Sequence, residues 1–368
     1  MTKMRVGVVG CGVISRVYQK VAREFPGLEV VACCDIDPAA AKAFAEADPS
    51  GRTRALDLDE LLESPDVDVV LNLTVPAAHA GVSRAALVAG KAVYSEKPLS
   101  TTREDGYELL QLARSGKLLL GCAPDTFLGA GLQTCRRALD EGLIGEPIGA
   151  VAFIGRHGPE EWHPSPAFFY EPGAGPLFDL GPYYLTATVT LLGPVASVSG
   201  VARISTTERV IRAGARKGEV LKVTTPTHVT GTLELASGIP VTFLTSFDVW
   251  ADHLPRFEIY GTEGTLSVPD PNTFGGPVEA WDAVSRQWRG LELVNAYTEN
   301  ARGLGLADLA SASAHGRPPR ASGELAFHVL DTMAALLEAG EQRSVVKVAS
   351  KVERPAPLPA GLSRGEVD

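Results

Sequence analysis

The chain has 368 residues, 45% apolar and 21% charged, with 34 basic and 44 acidic side chains for a net charge of −10. That length exceeds what one hydrophobic core usually spans and points to two domains, while the acidic excess argues against non-specific binding to nucleic acid or to an anionic membrane surface. No apolar run reaches the length of a membrane span, and the opening MTKMRVGVVG lacks a signal-peptide cleavage site, so the chain reads as cytoplasmic.

Arg5 to Val9 predicts a short buried strand, and GCGVISRVYQKVAREFP a turn into a helix stopped at Pro26-Gly27. LEVVACCDID is a second apolar strand, PAAAKAFAEA a helix, VDVVLNLTV a third strand ended by Pro76, and HAGVSRAALVAG a helix closed by Gly90. KAVYSE is the next strand. Thr101 and Glu104 predict a capping box for a helix reaching Ser115, and KLLLG a further strand. Apolar strands alternating with helices predict right-handed crossovers and an α/β, doubly wound parallel sheet over residues 1–122.

The texture then changes. After Glu146 the segments lengthen, alternate apolar with polar, and carry Gly/Pro turns. THVTGTLELASGIPVTFLTSF reads as two strands joined at Ser-Gly, and PRFEIYGTEGTLSVPD as another hairpin. Residues 123–350 are expected to form a second, mainly antiparallel domain with some helices, SGELAFHVLDTMAALLEAGEQRS being a late amphipathic one. The Pro/Gly-rich residues 351–368 are expected to be a loose tail. Cys11, Cys33, Cys34, Cys122 and Cys135 form no Cys-x-x-Cys pair, and no histidine spacing completes a zinc site. They read as small buried hydrophobes in a reducing compartment, and no metal is expected.

Gly10-Cys11-Gly12-Val13-Ile14-Ser15 leaves the first strand and opens the first helix. Gly10 allows a tight turn, and Gly12 allows a diphosphate to approach the backbone without a β-carbon in the way. Val13 and Ile14 then lead the free N–H groups of a helix N-terminus toward that anion. Asp35 ends the second strand 20 residues after Ser15, where a carboxylate accepts hydrogen bonds from ribose hydroxyls and repels a 2′-phosphate. The expected cofactor is therefore NAD in preference to NADP. A structural turn followed by a helix-capping aspartate would look the same locally.

NLTVPAAH closes the third strand at the carboxyl edge of the sheet, which places Asn72, Thr74, Pro76 and His79 to line the cofactor crevice. A histidine in the first turn of a helix with no ligand is an equal reading of His79. YSEKPLS ends a strand at the same edge. A cis Lys97–Pro98 bond explains an abrupt end there and aims Lys97 toward the nicotinamide ribose, with Glu96 fixing the strand end or touching cofactor.

Gly10-x-Gly12-x-x-Ser15, TVPAAH, YSEKPL and GTEGTL together resemble the Gfo/Idh/MocA family of NAD(P)-dependent oxidoreductases, over nearly the whole chain. The resemblance implies a Rossmann domain followed by an α/β domain with a large open-faced sheet, through which a homodimer or homotetramer forms. It also implies a small carbohydrate or polyol substrate oxidised or reduced at a secondary alcohol. GAGPLFDLGPYYLTATVTLLG resembles the family's second motif, with Asp179 in place and Tyr183 where many members carry histidine. If Asp179 is the helix N-cap, Pro182 falls in the first turn, and Asp179 and Tyr183, four residues apart, face one cavity.

Alcohol oxidation needs a base as well as a hydride acceptor. A tyrosine with a pKa near ~10 is a poor base at neutral pH, and a neighbouring ammonium lowers that value. Lys97 beside Tyr183, with Asp179 orienting one of them, is the expected catalytic set; either of the first two could take the proton. In RHGPEEWHPSPAFFYEPG, Trp162 could stack on a sugar face and His163 bond its hydroxyls, with Asp125 of APDTF alongside. An ordered aromatic loop with no ligand fits equally well. Two other functions stay open: a glycosidase or epimerase that recycles bound NAD, and a non-catalytic dinucleotide sensor.

Overall fold

The computed structural model describes residues 3–368. Its contacts divide the chain into two compact units. The first runs to Gln133 and adds Val294–Phe327 and Pro355–Asp368; the second holds Thr134–Leu293 and His328–Arg354. The division differs from the expected cut after residue 122, because two later stretches return to the first unit.

In the first unit, β1 (Met4–Val9), β2 (Leu28–Cys34), β3 (Arg54–Ala55), β4 (Val69–Asn72), β5 (Ala92–Ser95) and β6 (Leu120–Cys122) make one parallel sheet in the order β3-β2-β1-β4-β5-β6. The crossovers carry α1 (Ser15–Ala22), α2 (Pro38–Glu46), α3 (Leu58–Glu63), α4 (Pro76–Val88) and α5 (Arg103–Gly116). Strand order reverses between β1 and β4, which opens a crevice at the carboxyl ends of the strands. Val6, Val8, Cys33, Val69, Val70 and Val93 are buried. The strands read as unbroken apolar runs because such a sheet is covered on both faces.

Helix α5 starts one residue later than expected. Thr102 is the N-cap, its Oγ1 accepting from Asp105 N at 3.2 Å and donating to Asp105 Oδ2 at 2.7 Å. A threonine pair offers two candidate caps, and the acid three residues on from the second one is a carboxylate short enough to close this turn.

The C-terminal residues are packed, not loose. Leu358 and Leu362 are buried, Leu358 N donates to Gln133 Oε1 at 2.8 Å, and Ala296 N donates to Leu362 O at 2.9 Å. Arg317 and Arg320 share Asp308 and Asp368 as ion-pair partners. Pro/Gly content signalled an irregular path, but backbone bonds to residues 60 or more positions away hold that path in place.

The second unit is built on β7 (Pro147–Gly155), β8 (Val195–Arg203), β11 (His228–Leu235), β12 (Pro240–Ser246), β13 (Phe257–Gly261), β14 (Gly264–Val268), β15 (Glu279–Asp282), β16 (Gln287–Gly290) and β17 (Val346–Lys347), with β9 (Glu208–Val210) and β10 (Val220–Lys222) as a separate ribbon. The nine-stranded sheet is antiparallel except for β7 beside β12, so it is mixed. Helices α6 (Ala130–Asp140), α7 (Gly175–Leu192), α8 (Leu304–His315) and α9 (Gly323–Gln342) complete the chain. Helix α7 packs on β7, β11 and β12. One sheet face carries buried Ala152, Phe243 and Phe257; the other carries half-exposed Val151, Phe153 and Leu244 and exposed Val201.

His328 lies fully buried in this unit. Its Nε2 accepts from Val195 N at 3.0 Å and its Nδ1 contacts Ser350 Oγ at 2.9 Å, an arrangement that suits the neutral ring. Burial pulls its pKa down to about 4. The unfolded chain, with an ordinary imidazole near ~6.5, therefore binds the proton first as pH falls. Stability is full above the unfolded value and declines between about pH 6.5 and the folded value, by as much as about 3 kcal/mol. Thermal melts followed from pH 7 to pH 5 should show that decline flattened in His328→Gln, along with a lower Tm at neutral pH.

Candidate active site

The glycine turn owes its shape to one close approach. Gly10 has φ +97°, and a β-carbon there would lie 2.7 Å from the Leu73 carbonyl and 2.9 Å from Thr74 N. Gly12 has nothing within 4 Å of its β-carbon position, so the loop is open on its outer side. Ser15 is fully buried and donates to Gly12 O at 2.6 Å, doing the packing that a third glycine would do. Ile14 is the N-cap of α1 with no side-chain cap, while Ser15 N and Val17 N donate within the turn to Gly12 O at 3.2 Å and Ile14 O at 3.0 Å.

Asp35 braces the turn. Its Oδ2 accepts from Cys11 N at 2.7 Å and its Oδ1 from Asp37 N at 2.9 Å. Each oxygen keeps lone-pair capacity for a further donor. Val13 and Ile36 expose apolar side chains at the same sheet edge, 92% and 104% of their reference areas. Ile36 was not singled out by the sequence; an isoleucine directly after a strand-ending acid was its signal. The turn, the open glycine, the helix end without a side-chain cap and the carboxylate suit a dinucleotide.

Asn72 and His79 do not line the crevice with their side chains; both are buried. Asn72 Nδ2 donates to His79 O and to Ser83 Oγ, each at 3.0 Å, and its Oδ1 accepts from Thr74 Oγ1 at 2.7 Å. His79 Nδ1 lies 2.7 Å from Pro98 O and Nε2 2.9 Å from Thr74 O. Burial holds its pKa below the ordinary value, although the two carbonyls pull the other way. These side chains tie β4, the start of α4 and the turn after β5 together; a buried polar group must spend its bonds inside the protein. Thr74 and Pro76, the latter opening α4, remain half-exposed at the edge.

The Lys97–Pro98 bond is cis. Glu96 is committed at both oxygens: Oε1 accepts from Tyr18 Oη at 2.8 Å and Oε2 from Lys97 N at 3.0 Å. It fixes the strand end, and Tyr18, on the buried side of α1, fixes Glu96. Burial first, and then the Glu96 charge, hold the Tyr18 phenol well above its usual pKa, so it stays a donor. Sequence spacing could not reveal this partner, 78 residues from Glu96.

Asp125 is not available to a substrate. It is buried, and its Oδ2 accepts from Gly303 N at 2.8 Å and Gly305 N at 3.0 Å at the start of α8. Burial pushes its carboxyl up to about 6, against the pull of those two bonds. The helix it serves lies 178 residues away, which no local pattern reports.

Helix α7 begins at Gly175, not at Asp179. Gly175 has φ +79°, and a β-carbon there would meet Pro226 O at 2.7 Å, so glycine and then Pro176 start the helix. Pro182 consequently lies inside the helix and removes the N–H that would bond to Phe178 O. Asp179 and Tyr183 keep their one-turn spacing and share a face. Of the helix's 18 residues, Asp179 alone is not buried. In the preceding loop Trp162 is 66% exposed and meets His163 edge-on with ring centroids 5.4 Å apart. His163 Nδ1 accepts from Ser165 N at 3.0 Å, and its ring packs edge-on against Phe168 and Phe169.

Two family descriptions match this chain: "Oxidoreductase family, NAD-binding Rossmann fold" over residues 4–123 and "GFO/IDH/MocA C-terminal domain" over residues 132–267. The chain belongs to the Gfo/Idh/MocA family of NAD-binding oxidoreductases. It is 29% identical over 265 residues to 1,5-anhydro-D-fructose reductase of Ensifer adhaerens, covering 71% of this chain and 74% of that one. It is 31% identical over 147 residues to inositol 2-dehydrogenase of Salmonella typhimurium, covering 39% of this chain and 44% of that enzyme. Levoglucosan dehydrogenase in its apo form superposes with a TM-score of 0.83 at 19% identity, over 96% of this chain and 100% of the other, a likeness of fold. Among the described residues no helix is long and apolar enough to cross a membrane.

Proposed function

We propose that this member of the Gfo/Idh/MocA family oxidises or reduces a secondary alcohol of a sugar, cyclitol or related polyol, with Lys97, Asp179 and Tyr183 as its catalytic residues. The observation that carries the reading is the placement of Asp179. Asp179 is the one position of this helix that is not buried, and it lies a turn from Tyr183 on the same face, so a carboxylate and a phenol stand together on a helix otherwise given to packing. The named relatives, an anhydrofructose reductase and an inositol dehydrogenase, support the substrate class.

Nicotinamide supplies the two-electron chemistry when bound. Gly10, Gly12, Val13 and Ile14 would hold its diphosphate and Asp35 its ribose, the latter favouring NAD over NADP. The Lys97 ammonium would lower the pKa of the reacting hydroxyl or of Tyr183, and Asp179 would orient that pair. Trp162 and His163 would meet the substrate from the loop ahead of α7. Reduction of NAD should appear with at least one member of a panel of sugars, cyclitols and sugar acids. Product formed without net NADH would favour cofactor recycling, and tight NAD binding with no turnover a sensor; either result would displace this proposal.

Tyr18→Phe keeps the ring and removes the hydroxyl that holds Glu96. If Glu96 positions Lys97, kcat should fall by about tenfold, the usual scale for one hydrogen bond to a charged group. KM for NAD should stay within about twofold in steady-state kinetics. The open face of the large sheet, with Val151, Phe153, Leu244 and Val201, is our proposed homo-oligomer surface. Light scattering on the purified chain should give a dimer or tetramer, and a monomer would remove that surface from the account.

A further inference from the structure

A cavity of about 510 Å³ lies in the second unit among the residues after β7, the β9–β10 ribbon and the residues after β12. Its floor is ionic. Arg209, with 11% of its side chain exposed, donates from Nη1 to Glu160 Oε1 at 2.8 Å and from Nη2 to Asp248. Both acceptors have second donors: Tyr170 Oη on Glu160 and Thr227 Oγ1 on Asp248, the latter at 2.8 Å. One wall is aromatic. Trp250 is 72% exposed and lies flat on His157, ring centroids 3.5 Å apart and planes 21° from parallel.

The charges exclude two ligand classes. His157, Glu160 and Glu161 offer ligand atoms within 4.8 Å of one another, as a metal would need. A cation there would have to take Glu160 from Arg209 and Glu161 from Arg212, whose pairs measure 2.8 Å and 2.9 Å, and would then sit beside two guanidinium groups. An anion fares no better. Arg209 is neutralised by two carboxylates, and the lining set of Glu160, Glu208 and Asp248 against Arg209 and Arg212 is one negative charge in excess (three minus two). What suits the pocket is an uncharged ligand with an apolar face and many hydroxyls. His157 Nδ1 faces Glu161 Oε1 at 3.4 Å and Glu160 Oε1 at 3.6 Å, so the ring edge belongs to the ionic floor while its face carries Trp250.

We propose that this pocket seats a neutral polyhydroxylated ring, its C–H face on the indole of Trp250 and its hydroxyls toward Arg212, Glu208 and the His157 side of the cavity. The pocket lining includes neither Asp179 nor Tyr183, so its selection of neutral sugars or cyclitols over sugar acids and phosphates is a property of binding, and its bearing on turnover rests on the oxidoreductase reading. Binding is measurable separately.

The test uses the full chain with bound NAD and two matched pairs of probes: D-glucose with D-glucuronate, and myo-inositol with its monophosphate. Calorimetry should show at least one neutral probe binding about tenfold or more tighter than its charged partner. Trp250→Ala should weaken that neutral probe by about tenfold and leave NAD affinity unchanged, and Trp250→Phe should restore most of the loss. Glu208→Gln, which removes the excess charge, should narrow the gap between the members of each pair. Tighter binding of the charged probes, binding by none of the four, or a Trp250→Ala protein that binds the neutral probe as well as the unaltered chain would overturn the proposal. Turnover of a sugar by Trp250→Ala with unchanged KM would sink the pocket and leave the reaction standing. Neutral-ring binding that depends on Trp250, with no redox turnover, would sink the reaction and leave the pocket.

Discussion

Lys97→Ala is expected to lower kcat for the true substrate by on the order of 10² to 10⁴, the range for a positioned acid–base group, while KM for NAD changes by less than about threefold. Lys97 is half-buried where β5 ends, and its own N–H is held by Glu96 Oε2 at 3.0 Å. The backbone there is therefore fixed by a bond that truncating the side chain does not touch. Lys97→Arg separates two roles. An arginine keeps the positive charge but cannot give up its proton at any working pH. If the ammonium only stabilises the tyrosinate of Tyr183, arginine should recover at least a tenth of the lost rate; if Lys97 itself takes the proton, it should recover almost none. Tyr183→Phe and Asp179→Asn belong in the same series. Normal turnover in all three single variants would end the catalytic assignment.

Asp35→Ala should raise KM for NAD by about 10- to 100-fold, the scale of losing hydrogen bonds to a charged acceptor. It should also bring the NADP-to-NAD preference at least tenfold closer to one. The substitution has two effects. It removes the acceptor placed for ribose hydroxyls and the charge that repels a 2′-phosphate, and it releases Cys11 N and Asp37 N, which the carboxylate holds at 2.7 Å and 2.9 Å. Asp35→Asn keeps an acceptor for one of those amides and loses the charge, so it should relax cofactor preference more than it weakens NAD. Steady-state kinetics with both dinucleotides measures the two quantities. An unchanged preference would mean that Asp35 only braces the turn.

Some of the candidate site's geometry was legible because its signals are local. Gly10 and Gly12 sit between an apolar strand and a helix, and Asp35 and the Lys97–Pro98 bond end strands whose apolar runs mark them as buried. Strand and helix periods of 2 and 3.6 residues are properties of a few neighbouring residues, so the alternation that predicts a doubly wound sheet is written within each segment. Asp179 and Tyr183 kept their one-turn spacing even though the helix starts four residues before the expected cap, since four residues separate them on any helix that contains both.

Tertiary structure alone decided where the polar side chains spend their bonds. Asp125 looked like a sugar ligand from its neighbours, yet Gly303 and Gly305 use its carboxylate. Glu96 read equally as a strand-end anchor or a cofactor contact, and only the packed chain shows Tyr18, 78 residues away, donating to one of its oxygens while the Lys97 amide donates to the other. A loose C-terminus was the natural reading of its prolines and glycines, yet Gln133, Ala296 and Tyr297 hold it. The same holds for the pocket floor, where Glu160, Arg209 and Asp248 converge from three separate segments. Backbone conformation and burial pattern are set by adjacent residues and so were determined by the sequence read along its length. The partner of a buried charge is set by which distant segments the fold brings to it, and that appears only once the chain is packed.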